Sequence, residues 1–79
     1  MTKIVNVCPL DNYEILLEFN NGEKRIKDMK PYLDKGIFSK LKDKKFFEKV
    51  KISFGTISWD SEIEMDAEKL YDTSKKIDQ

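Results

Sequence analysis

The stretch Asn12–Met29, NYEILLEFNNGEKRIKDM, reads as two strands joined by a turn that its own residues specify. Tyr13, Ile15, Leu17 and Phe19 alternate with Glu14 and Glu18, the two-residue period of a strand with one buried face, and only Leu16 breaks it. Asn21-Gly22 can take the positive φ of a two-residue type I′ turn, because Gly lacks a Cβ and Asn tolerates the left-handed region. Counting outward from such a turn sets Leu17 opposite Ile26 on the buried face and Glu18 opposite Arg25 on the other, both favourable pairs. A three-residue loop would set Leu17 against Arg25 and move Ile26 to the face of Leu16, so the pattern predicts the shorter loop.

Working outward, Lys3–Cys8 (KIVNVC) is apolar and β-branched enough for a preceding strand, with Pro9-Leu10-Asp11-Asn12 as the turn between them. Three antiparallel strands are expected, with Cys8 as a small buried hydrophobe. Downstream, Asp28–Leu33 reads as a short helical turn with Pro31 in its first turn, ended by Gly36. Ile37, Phe38 and Leu41, then Phe46, Phe47 and Val50, recur at helical spacing. They predict helices over about residues 37–41 and 44–49, the second capped by Asp43, with apolar sides laid on the hairpin. Val50, Ile52 and Phe54 return to alternation, and Gly55-Thr56 turns the chain into Ile57-Ser58-Trp59, a second hairpin. Asp60–Met65 is expected as extended or looped chain. Asp66 is the N-cap of a last helix with Leu70 inward. The fold class is therefore a small two-layer α+β domain, in the order β-β-β-α-α-β-β-α, with antiparallel hairpins packed against short helices. A single domain over residues 1–72 is followed by a tail, 73–79, expected to fray because TSKKIDQ has no apolar periodicity.

The 79 residues allow one modest core. No apolar run is long enough to cross a membrane, and Met1-Thr2-Lys3 leads directly toward a strand rather than a signal segment. With one cysteine and no internal disulfide, the expected location is cytoplasmic. The absence of histidine removes the commonest general base and transition-metal ligand, and every triad built on imidazole. The chain is expected not to be an enzyme and to need no cofactor. Its zero net charge conceals an asymmetry: residues 1–22 carry a net −2, residues 23–51 a net +6, and residues 52–79 a net −4.

Two surfaces follow. Lys40, Lys42, Lys44, Lys45, Lys49 and Lys51, with Lys24, Arg25 and Lys27 on the hairpin, could track a phosphate backbone. A lone Arg and aromatics turned coreward weigh against that reading, and a solvated charged surface is the plainer one. Asp60, Glu62, Glu64 and Asp66 alternate with Ser61, Ile63 and Met65, so an extended backbone would align four carboxylates. The EF-hand spacing and its central Gly are missing, which favours an acidic partner-facing edge over a metal site. The partner-binding candidates are Leu16, Trp59, Asp60, Glu62 and Glu64; the weaker nucleic-acid set is Lys24, Arg25, Lys27, Lys42, Lys44 and Lys45. For Trp59, completing the core competes with serving as an exposed anchor.

The run Val7-x-Pro9-Leu10, the strand ending Phe19-Asn20-Asn21-Gly22-Glu23, Asp28, Gly36-Ile37-Phe38, Leu41-Lys42-Asp43, Phe46, Gly55-Thr56-Ile57-Ser58-Trp59 and Leu70-Tyr71 resembles the bacterial domain-of-unknown-function family 2442 from about Ile4 to Tyr71. The family pattern often has Pro after the Trp, where this chain has Asp60. The resemblance implies a small α+β domain and supplies no activity. It implies an accessory or regulatory module, of the kind found in two-component toxin-antitoxin systems, without the helix-turn-helix extension that some such chains carry. The expected partner is another protein or a second copy of the chain; the alternative is a nucleic-acid-binding regulator.

Overall fold

The computed structural model describes residues 1–77. Strands β1 (Ile4–Leu10), β2 (Glu14–Phe19) and β3 (Lys24–Asp28) form an antiparallel sheet, which β7 (Lys75–Lys76) extends in the order β1-β2-β3-β7. A second antiparallel sheet, β4-β5-β6, comprises Lys51–Ser53, Thr56–Ser58 and Glu64–Met65. Short 3-10 turns over Lys30–Tyr32 and Gly36–Lys42, with helices α1 (Lys44–Phe47) and α2 (Ala67–Thr73), complete a mixed α+β fold. Two caps lie where the sequence predicts them: Asp43 accepts from the Lys45 N–H and Asp66 from the Lys69 N–H.

The core is assembled from both sheets. Ile15, Leu17 and Phe19 point inward from β2, as their alternation predicts, and meet Leu41, Phe47, Ile57, Trp59, Ile63 and Leu70. Phe46 and Val50 pack at its margin, whereas Ile37 is exposed.

The first hairpin departs from the predicted register. The Phe19 N–H donates to the Glu23 carbonyl, the Gly22 N–H donates to the Phe19 carbonyl, and Leu17 stands opposite Arg25. Asn20 and Asn21 keep negative φ while Gly22 takes φ +88°, a three-residue loop with a glycine bulge. The extra residue inverts β3: Ile26 joins Leu16 on the outer face, while Arg25 and Lys27 turn inward beneath the C-terminal segment. The inversion is tolerated because both cations find partners there. Arg25 lies 4.1 Å from the Tyr71 ring centroid, donates to the Ser74 carbonyl and approaches the Glu23 carboxylate at 3.2 Å. Lys27, only 8% exposed, donates to Thr73 Oγ1 and lies over the Tyr32 ring.

Three further expectations are corrected. Cys8 is exposed, because in the β1–β2 register it pairs with Leu16 on the outer face. The segment after Thr73 does not fray through Ile77: Lys75–Lys76 pairs with β3 and the Ile77 N–H donates to the Lys24 carbonyl. Residues 78 and 79 of the expected tail lie outside the described residues. In the second hairpin Ser53 pairs with Thr56, so the two-residue turn is Phe54-Gly55 rather than Gly55-Thr56. Phe54 thereby stands in solvent at the turn, while Ile52, opposite the buried Ile57, is 38% exposed.

Candidate functional site

The second hairpin ends in a feature that folding does not account for. Phe54 and Gly55 have φ of +52° and +81°, the signature of a type I′ turn. Gly and Asn accept that conformation easily; a bulky side chain does so at a cost. The Phe54 side chain recovers none of that cost by burial, being as exposed as a free residue at 101%. Among the described residues it is the most exposed large hydrophobic group.

Two shallow hollows have the β6 residues Glu64 and Met65 in their walls. One is lined by Phe54 with Ser53, Thr56, Glu64, Met65 and Asp66. The other, of about 160 Å³, is lined by Tyr32, Phe38, Met65, Glu64, Asp66 and Lys69. Its aromatic wall is a Tyr32–Phe38 edge-to-face pair with ring centroids 5.5 Å apart. A third, between the end of β1 and α1, holds about 50 Å³ beside Tyr13 and Phe47, room for a water or two and no more.

The residues singled out from sequence separate into different environments. Trp59 is buried and donates its indole N–H to the Phe47 carbonyl at 2.9 Å, so it finishes the core and offers no surface to a partner. Asp60 folds its own loop by accepting from the Glu62 and Ile63 N–H groups, which hold its carboxyl below the usual range. Lys40 lies 3.2 Å from Glu62 and 3.7 Å from Asp60, and its pKa is raised, chiefly by Glu62. These two acids therefore clamp a lysine from the basic run. Glu64 stays exposed on β6 at the rim of both hollows. Among the described residues no group of His, Cys, Asp and Glu is placed to hold a metal ion. Leu16 is half-buried on the outer face, between Cys8 and Ile26 in one cross-strand row.

The basic set is likewise dispersed. Arg25 and Lys27 serve the inner side of β3. Lys42 pairs with Asp34 at 2.8 Å, which lowers the Asp34 pKa. Lys24 is half-buried on the outer face, whereas Lys44 and Lys45 are exposed on α1. No single face brings all six together. The sequence reading missed Phe54, Tyr32 and Phe38 as surface features. Alternation placed Phe54 at the end of a strand before a Gly55-Thr56 turn, and a Phe before Gly is not among the residue pairs that announce a primed turn.

Two small antiparallel sheets closed by short helices, with shallow open hollows, define a compact α+β domain. No described helix is long and apolar enough to cross a membrane. The chain belongs to DUF2442, a family of proteins of unknown function, whose model matches residues 4–76. No curated protein and no solved structure gives a match.

Proposed function

We propose that the chain is a non-enzymatic interaction module whose partner is a protein, serving in an accessory or regulatory role. Phe54 carries this reading: a large aromatic held in a left-handed conformation and wholly in solvent contributes nothing to folding, and aromatic anchors of this kind dominate protein interfaces. Leu16, with Cys8 and Ile26 on the uncovered sheet face, and Glu64 beside Phe54 extend the surface. The carboxylates whose pKa values move, Glu23, Asp28, Asp34 and Asp60, all move downward. General acids need the opposite direction. The family resemblance and the single cysteine favour a bacterial cytoplasmic setting and an antitoxin-like or other accessory role.

The test compares the wild-type chain with Phe54→Asn, both immobilised and both verified as folded by circular dichroism. Wild type should retain a defined protein saturably, whether another copy or a different chain, and the variant should not. Equal retention overturns the reading. Binding to mixed DNA and RNA that falls log-linearly with salt and ignores Phe54 would favour the regulator alternative, carried by exposed Lys44, Lys45, Lys49 and Lys51.

A further inference from the structure

Resting on that interaction reading, we propose that the surface around β6 is a self-complementary dimer interface, in which Phe54 of one copy fills the Tyr32–Phe38–Met65 hollow of a second copy and the exchange is reciprocal.

Size supports the fit. The hollow measures about 160 Å³, and an apolar void of about 150 Å³ takes a benzene ring. Its composition suits a phenyl group, with two aromatic walls, the Met65 thioether and the Lys69 stem.

Symmetry supports the choice of a second copy. The hollow that Phe54 lines and the socket share Glu64, Met65 and Asp66 as a common border. A two-fold axis near that border exchanges knob for socket in both directions at once, which closes the assembly as a dimer rather than propagating a filament. Phe54 cannot fill the socket of its own chain while standing wholly in solvent.

Charge supports the same pairing. Lys3 lays its methylenes over Gly55, 3.1 to 3.4 Å from where a Cβ would stand, and so carries an ammonium group beside the tip. The socket rim carries the exposed carboxylates of Glu64 and Asp66. Docking brings Lys3 of each copy to the acidic rim of the other, where its charge offsets the approach of Glu64 and Asp66 to their own counterparts across the axis.

Sedimentation equilibrium of the full chain over a dilution series tests the proposal. One aromatic anchor from each copy seated in a shallow hollow places the dimer among weak, reversible associations, so monomer and dimer should both be seen in the micromolar range. Phe54→Asn should weaken association at least about 30-fold, the loss typical of an aromatic anchor, with the fold intact. Lys3→Glu and Glu64→Lys should each weaken it about 2- to 5-fold, and the chain carrying both should recover, which no loss of folding can mimic. A wild-type chain that stays monomeric throughout, or a dimer indifferent to Phe54→Asn, overturns the self-association. If the monomeric chain still captures a different protein through Phe54, only the identity of the partner falls; if it captures none, the interaction reading falls with it.

Discussion

Replacing Phe54 by Asn should make the monomer more stable while weakening its binding. A non-glycine side chain in the left-handed region costs about 1–2 kcal/mol, most of which Asn avoids because its short polar group tolerates that conformation. The deleted ring gives up no burial, since it is entirely in solvent. The net expectation is a gain of about 1 kcal/mol, which in a domain of this size raises Tm by about 4–8 °C. Thermal melts by circular dichroism should be run at low micromolar concentration and repeated at several dilutions, because association would stabilise wild type by mass action and conceal the difference. Phe54→Ala is the control: it removes the ring but keeps a Cβ at φ +52°, and should leave Tm within about 2 °C of wild type. A Phe54→Asn variant that melts at or below wild type, independently of concentration, would show that the ring contributes to the fold and is not reserved for a partner.

Trp59→Phe keeps most of the core volume but leaves the Phe47 carbonyl without its 2.9 Å donor, and should cost about 1–3 kcal/mol in urea unfolding with an unchanged slope. Gly22→Ala meets no atom within 4 Å, so its penalty comes from φ +88° alone; a loss of about 1–2 kcal/mol by the same assay is expected. Asp60, Asp28, Asp34 and Glu23 have folded pKa values below their ordinary ones, held there chiefly by the Glu62 N–H, the Lys30 N–H, Lys42 and the Tyr71 hydroxyl respectively. Their stabilisation is complete above the unfolded values of 3.8 for Asp and 4.5 for Glu and is lost as pH falls through the folded values. Tm should therefore change little between pH 7 and about 5 and drop below about pH 4, with a shallower drop in Asp60→Asn.

Much of the fold was legible because it is decided locally. The Ile15, Leu17 and Phe19 alternation, the Asp43 and Asp66 caps and the inward Leu70 each follow from spacing within a few residues. The β3 register was not, because its deciding partners are remote. Leu17 opposite Ile26 looks better than Leu17 opposite Arg25 until Tyr71, Thr73 and Ser74 arrive from the chain's far end to receive Arg25 and Lys27. The same segment brings in Lys75–Lys76, a strand with no apolar signature, which gains its pairing from β3. The candidate site was least legible. Phe54 continues the alternation of Val50 and Ile52, and only the pairing of Ser53 with Thr56 puts it on a turn. Tyr32 and Phe38 belong to irregular 3-10 segments whose exposed sides no period marks.

The glycine-bulged loop at Asn20-Asn21-Gly22 carries a consequence for how this chain can change. Surface loops usually absorb insertions and deletions with little loss, since lengthening a flexible connection costs little entropy. Here one residue added or removed would shift β3 by half a pleat, exposing Arg25 and Lys27 to solvent and driving Ile26 beneath α2. The cations that anchor the C-terminal segment would lose Ser74 and Thr73 at the same moment. Loop length is thus constrained along with residue identity, since the Asn20 side chain bonds Met1 and Lys3 and the Asn21 side chain bonds Glu23: a deletion can succeed only alongside a rewritten β3 with its apolar and charged positions exchanged.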